Sequence, residues 1–274
     1  MNAKELYQSG DLAGAIAAAS DEVKRKPAEI ALRGFLGELL CFAGQWDRAD
    51  RQLDVVGEQD PQAMLGVALF RQLIRAEQAR QQFYTEGRLP EFLGPPSPAL
   101  RLHLEAAVRL RAGEMAAAAA LLAEAEAGRA TLRGTCNGRA FDELRDLDDL
   151  SASFFEVLTS TGKYYWIPME QVESVQFRAP QRPRDLLWRR ALMSVHGGPD
   201  GEVFLPVLYA GSSGDLDEAI RLGRSTEWRG GDGAPVHGAG QRTFLVGGGA
   251  VAILELSELN ITVPETADHA ASGN

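Results

Sequence analysis

TSTGKYYWIPMEQVESVQFRAPQRPRDLLWRR, running from Thr159 to Arg190, is the stretch in which a helical sequence turns into a strand-rich one. Tyr164, Tyr165, Trp166 and Ile167 make an aromatic run that stops at Pro168, and such side chains fit a pleated, half-buried surface. Val172, Val175 and Phe177 predict a second strand, and the prolines and arginines that follow predict a stiff connector. The stretch marks a junction and specifies no reaction.

Upstream, the chain superimposes on itself when shifted by 34 residues: Gly10, Leu12 and Ala15 fall on Gly44, Trp46 and Ala49, and Pro27 falls on Pro61. That is the period of tetratricopeptide repeats, in which a small residue lets paired helices approach and a proline ends the second one. A further match starts at Gly113, with Met115, Ala118 and Leu122. Between them, Pro61 to Gly87 has lost the turn signature and predicts one longer helix. Leu89 to Pro98 holds four prolines in ten residues, which predicts a connector. Helices resume over Pro98 to Arg111 and Glu114 to Ala127.

Stacked helix pairs curve, and their first helices line a concave surface suited to a peptide. Projecting the repeat register onto this chain turns Glu38, Phe42, Gln72, Arg75 and His103 towards that groove as candidate partner-binding residues.

From Gly138 to Leu158, Phe141, Leu144, Leu147, Leu150 and Phe154 recur every three or four residues, and Asp142, Glu143, Asp146, Asp148 and Asp149 lie between them. This spacing predicts an amphipathic helix with a solvated acidic face, placed to pair with Arg182, Arg184, Arg189 and Arg190. Carboxylates at helical spacing on one solvated face make no metal set.

Beyond Arg190, Gly197 to Gly201 is a strong turn signal between two strands. Asp215 to Arg224 predicts a short helix, followed by a glycine-rich loop and strands at Thr243 to Val246 and Val251 to Leu256. Short strands joined by turns pair antiparallel.

The catalytic candidates here are Ser212, Ser213, His196 and His237. Gly211 to Gly214 is one residue short of a nucleophile elbow, and Gly247 to Gly249 run into a strand rather than a phosphate-binding helix. Neither histidine has a carboxylate or cysteine at recognisable spacing. No catalytic, cofactor or metal residue is therefore assigned.

The chain has 28 basic and 38 acidic residues, a net charge of −10 that repels a nucleic-acid backbone on average. Cys41 and Cys136 lack partners at zinc-like spacing and read as reduced thiols. No window suits a membrane span, and the first residues do not form a leader. The expectation is a soluble cytoplasmic protein with no membrane insertion.

Three blocks carry a resemblance: FDELRDLDDL from Phe141, TSTGKYYWIP from Thr159, and RPRDLLWRR from Arg182. In this order and spacing, behind degenerate tetratricopeptide-like repeats, they resemble the ImpE or TagJ family of bacterial type VI secretion accessory proteins over roughly residues 1 to 261. The resemblance implies a non-enzymatic adaptor without cofactors. It implies binding to the amino-terminal helix of the small contractile-sheath subunit, alongside the ATPase that disassembles contracted sheaths. The other reading kept open is a hydrolytic or small-molecule-binding domain in the glycine-rich half.

The fold class expected is α+β and multidomain. A tetratricopeptide-like α-α superhelix spans 1–136, a mainly antiparallel β-rich α+β domain opening with an amphipathic helix spans 137–262, and a disordered tail spans 263–274.

Overall fold

A computed structural model describes residues 1–262; the tail expected over 263–274 lies outside them. Up to Ala127 the chain is helical: α1 (Ala3–Ser9), α2 (Leu12–Arg25), α3 (Ile30–Phe42), α4 (Trp46–Gln59), α5 (Met64–Glu86), α6 (Pro98–Arg111) and α7 (Met115–Ala127). The repeat glycines owe their spacing to backbone geometry. Gly10, Gly44 and Gly113 have φ of 97°, 67° and 76°, the left-handed conformation that ends one helix and lets the next fold back. They join α1 to α2, α3 to α4 and α6 to α7 as tetratricopeptide-like hairpins. Caps fix the starts: Asn2 and Glu5 form a capping box on α1, and the Ser97 side chain accepts from the Leu100 N–H ahead of Pro98 at the head of α6. The degenerate middle repeat is the single 23-residue helix α5.

The strands are β1 (Arg133–Cys136), β2 (Arg139–Phe141), β3 (Leu144–Asp146), β4 (Phe154–Leu158), β5 (Tyr164–Pro168), β6 (Val172–Phe177), β7 (Trp188–Val195), β8 (Gly201–Pro206), β9 (Thr226–Gly231), β10 (Ala234–Gly240), β11 (Thr243–Val246), β12 (Gly249–Ala252) and β13 (Glu258–Thr262), with a short helix α8 (Glu218–Arg221) before β9. Eight strands form one sheet in the order β2-β1-β13-β6-β7-β8-β4-β5. A second sheet is β12-β11-β3, and β9 and β10 form a hairpin. The strand pairs are antiparallel.

The expected divide at residue 136 falls at the end of β1, which is already part of the large sheet, whereas the helices stop at Ala127. The aromatics of β5 and β7 tie the halves together. Trp166 is wholly buried, stacked on Phe154 at 3.9 Å and met edge-on by Phe83 of α5 at 4.7 Å. Trp188 packs against Phe70 of α5 at 5.9 Å and Trp46 of α4 at 6.3 Å. One continuous apolar core runs through helices and sheet alike.

A buried ionic network crosses the same seam. Arg80 of α5 donates to Glu77 at 2.9 Å, to Glu156 of β4 at 2.8 Å and to the Leu208 carbonyl at 3.0 Å. Arg242 binds both Glu156 and Asp146, the Trp188 indole N–H donates to Glu77 at 3.0 Å, and the Tyr84 and Tyr164 hydroxyls donate to Glu156. Burial pushes the Glu156 carboxyl up, but Arg80 and Arg242 overcome it and hold the group down at about 2. Buried charges persist when paired and hydrogen-bonded in this way.

The residues from 138 to 158 form no amphipathic helix. They fold as β2, β3, a 3₁₀ turn at Asp149–Ser151 and β4. The period of three to four arose because short strands and a turn happen to bury Phe141, Leu144, Leu150 and Phe154. The acidic residues are not a solvated face either: Asp146 and Asp148 are buried, and the stretch pairs with Arg129, Arg145 and Arg242. The expected partners lie elsewhere. Arg189 donates to the Arg178 and Ile253 carbonyls, and Arg190 pairs with Glu202. The glycine-rich loop from Thr226 is the β9–β10 hairpin, and β13 inserts between β1 and β6 where no strand was expected. Leu89 to Pro98 is a connector that nonetheless bridges to the sheet, Glu91 pairing with Tyr165.

Candidate partner-binding groove

The second helical hairpin leaves a groove of about 430 Å³ between α3, α4, the start of α5 and the turn at Pro183–Leu186. Its floor is apolar, with Leu53 and Val56 from α4 and Val67 and Phe70 from α5. Its walls are shaved by small residues one helical turn apart, Ala31 and Gly34 on α3 and Ala63 and Gly66 at the start of α5. A β-carbon at Gly34 or Gly66 would meet nothing within 4 Å. The backbone itself is therefore presented, which allows a second helix to approach closely, as small residues do at helix interfaces.

The far wall comes from the β-rich half. Pro183 starts the 3₁₀ turn, and the Asp185 carboxylate holds it by accepting from the Gln181 N–H at 2.8 Å and the Arg182 N–H at 3.0 Å. The turn sets the Arg184 guanidinium over the Phe70 ring at 5.0 Å, and Phe70 in turn rests on Trp188. RPRDLLWRR thus supplies both wall and buttress. Glu38 closes the groove end with 8% of its surface exposed. Burial pushes its carboxyl up to about 7 against the opposing pull of Arg184 and Arg182, so near neutral pH the groove end exchanges between a carboxylic acid and a carboxylate.

Of the five residues expected at a groove, Glu38 lines this one. Gln72 is half-buried under the Thr159–Lys163 turn, where a β-carbon on Gly162 would come within 2.4 Å of its Oε1. Arg75 is exposed on α5. Phe42 and His103 are core residues instead. Phe42 is fully buried against Tyr7 of α1, ring centres 6.0 Å apart. His103 is 2% exposed, with Nε2 2.9 Å from the Ser153 hydroxyl and Phe154 edge-on at 5.5 Å. Burial lowers its pKa to about 4 and keeps the ring neutral. Gly34, Gly66, Phe70, Arg182 and Arg184 were not singled out for binding. The i, i+3 pairs of small residues at 31/34 and 63/66 are the signal that could have found them.

Among the described residues no catalytic candidate hydrogen-bonds another. Ser212 is buried, its hydroxyl donating to the Tyr209 carbonyl at 2.7 Å and accepting from the Gly240 N–H at 2.9 Å. His196 is exposed in the turn after β7. His237 does have a carboxylate neighbour, Nδ1 lying 3.6 Å from Asp148, beside a cleft of about 300 Å³ lined by Tyr84, Leu110 and Met115. The pairing joins residues 89 apart in the chain, which is why spacing did not show it. Burial works against the imidazolium, but Asp148 outweighs it and raises the pKa. Cys41 and Cys136 are buried free thiols. Among the described residues no helix is long and apolar enough to cross a membrane.

The sequence model for the ImpE protein family matches residues 138–260. The chain is 35% identical, over 95% of its own length and 91% of the relative's, to the type VI secretion system accessory component TagJ of Pseudomonas aeruginosa. The crystal structure of a Vibrio parahaemolyticus protein superimposes with a TM-score of 0.89 at 25% identity, covering 96% of this chain and 98% of that one. The three family blocks thus sit where they build the sheet, the seam and the groove wall, and the chain belongs to the ImpE family of type VI secretion accessory proteins.

Proposed function

We propose that the protein is a cytoplasmic, non-enzymatic adaptor of type VI secretion that binds the amino-terminal helix of the small contractile-sheath subunit in the groove walled by α3, α4, α5 and the Pro183–Leu186 turn. Through that contact it assists sheath assembly or the ATPase that takes contracted sheaths apart. The observation that carries the reading is the glycine-walled apolar groove itself, since a helix laid into such a groove needs no cofactor and no reactive group. The family relationship supports the system in which the adaptor works. Ser212 gives little support to a hydrolytic reading of the glycine-rich half, because its hydroxyl already donates to one backbone group and accepts from another.

Co-purification tests it. The small sheath subunit should be retained by the tagged protein and lost when that subunit's first helix is deleted. Retention after the deletion, or capture unaffected by Gly66→Trp, would move the binding site elsewhere.

A further inference from the structure

A second cleft of about 300 Å³ opens on the other side of the Pro183–Leu186 turn, and Arg182 and Arg184 line both it and the groove. Arg178 and Arg190 bring to four the arginines that line this one opening, in a chain whose net charge is −10. Arg190 already has a carboxylate in Glu202. The side chains of Arg178, Arg182 and Arg184 make no ion pair among the described residues; Arg184 lies over the Phe70 ring, and Glu38, which both Arg184 and Arg182 pull on across the groove, is largely buried. Asp185, in the same cleft, is occupied by the backbone N–H groups of its own turn. Of the five acidic residues expected to pair with Arg182, Arg184, Arg189 and Arg190, Glu143, Asp149 and Asp146 are bound to Arg129, Arg145 and Arg242 in another part of the fold.

We infer that Arg178, Arg182 and Arg184 read carboxylates on the bound segment, so that the occupant is an amphipathic helix flanked or interrupted by Asp or Glu residues. This rests on the helix-in-groove reading above. The apolar face of such a helix covers Val67 and Phe70 while its acidic residues enter the second cleft. Guanidinium forks match carboxylates in two-point hydrogen bonding. Because the same two arginines line both clefts, a single extended occupant satisfies the apolar floor and the cations together, which a small free anion could not do. Charge matching of this kind selects the partner and speeds its arrival more than it deepens affinity.

Fluorescence anisotropy with a synthetic peptide of the small sheath subunit's amino-terminal helix, and with the same peptide carrying Asn and Gln for every Asp and Glu, tests this. The acidic peptide should bind the wild type about tenfold tighter than its amide counterpart. Arg178→Glu combined with Arg182→Glu, both at exposed positions, should cost the acidic peptide a similar factor and abolish the discrimination. Equal binding of the two peptides overturns the inference. If Gly66→Trp abolishes binding while the charge changes do nothing, the groove stands and only the inference falls; if Gly66→Trp leaves binding intact, the groove reading itself falls. Displacement of the peptide by sodium pyrophosphate beyond the effect of sodium chloride at equal ionic strength assigns the arginines to a phosphoryl ligand and also overturns it.

Discussion

His103 illustrates how much a residue's chemistry depends on which face of its helix is covered. Its ring sits in α6 beneath the Asp149–Ser151 turn, and burial lowers its pKa from 6.5 to about 4. Unfolded, the same imidazole takes up its proton near 6.5. Below that value the unfolded chain binds more protons than the folded one, so stability is lost as pH falls from about 6.5 through about 4, by up to about 3 kcal/mol. Asp146 works the other way. Burial raises it to about 6 despite Arg242, so its contribution falls as pH rises through the interval between its usual value and about 6. The comparison that isolates His103 is therefore wild type against His103→Gln. Urea unfolding between pH 7 and 4 should show the acid-side loss shrinking in the variant, and equal slopes would mean that the ring is not held neutral. Its helix was legible in the sequence, starting at Pro98 after the proline-rich connector. Its face was not, because the register was carried through a repeat whose turn signature is missing.

Among the elements, β1 and β13 are the pair on which the amino-terminal edge of the large sheet depends. Gly134 of β1 lies against the Asn260 carbonyl, and a β-carbon there would sit 1.9 Å from that oxygen. Gly134→Val should destabilise the protein by about 3 kcal/mol or more, since backbone rather than a flexible side chain must give way. Gly94→Ala, at an open connector position, should leave the urea midpoint unchanged; equal effects of the two would remove the steric account. Elements with strong local chemistry were legible. The connector and the start of α6 follow from their prolines, and β5, β6 and β7 follow from apolar runs bounded by turns. Where burial is produced by long-range pairing, local pattern misled. Asp146 reads as a solvated charge until Arg242, 96 residues away, is seen beside it, and glycines at 230, 231, 238 and 240 made a hairpin look like a loop.

At the scale of the whole molecule, the division into helices and sheet was visible in the sequence, but the residues of α5 that meet the sheet across the seam were not. Phe70, Ile74 and Phe83 of α5 are covered when the sheet is in place, and Arg80 on the same helix finds Glu156 there. A fragment ending at Ala127 would expose these apolar groups to water and take Glu156 away from Arg80. That fragment should therefore fail to give a dispersed amide spectrum, and the intact chain should lose helix signal and tryptophan signal at one denaturant midpoint. Two separated midpoints, or an ordered fragment, would show that each half stands alone. The same seam explains why the candidate site escaped a residue-by-residue reading: its floor is helical, its wall follows β6, and they meet only after folding.

The proline-rich connector has a further effect. Glu91 donates its N–H to the Tyr164 carbonyl at 2.8 Å and accepts from the Trp166 N–H at 3.1 Å, capping the outer side of β5, the last strand of the large sheet. An uncovered aromatic edge strand is a template for indefinite edge-to-edge growth. Here the covering strip is one bridge long and bounded by Pro90, Pro95 and Pro96, which have no N–H to offer a further strand. The protein carries its own terminator for strand addition at that edge, and capture by β-augmentation is closed off on that side.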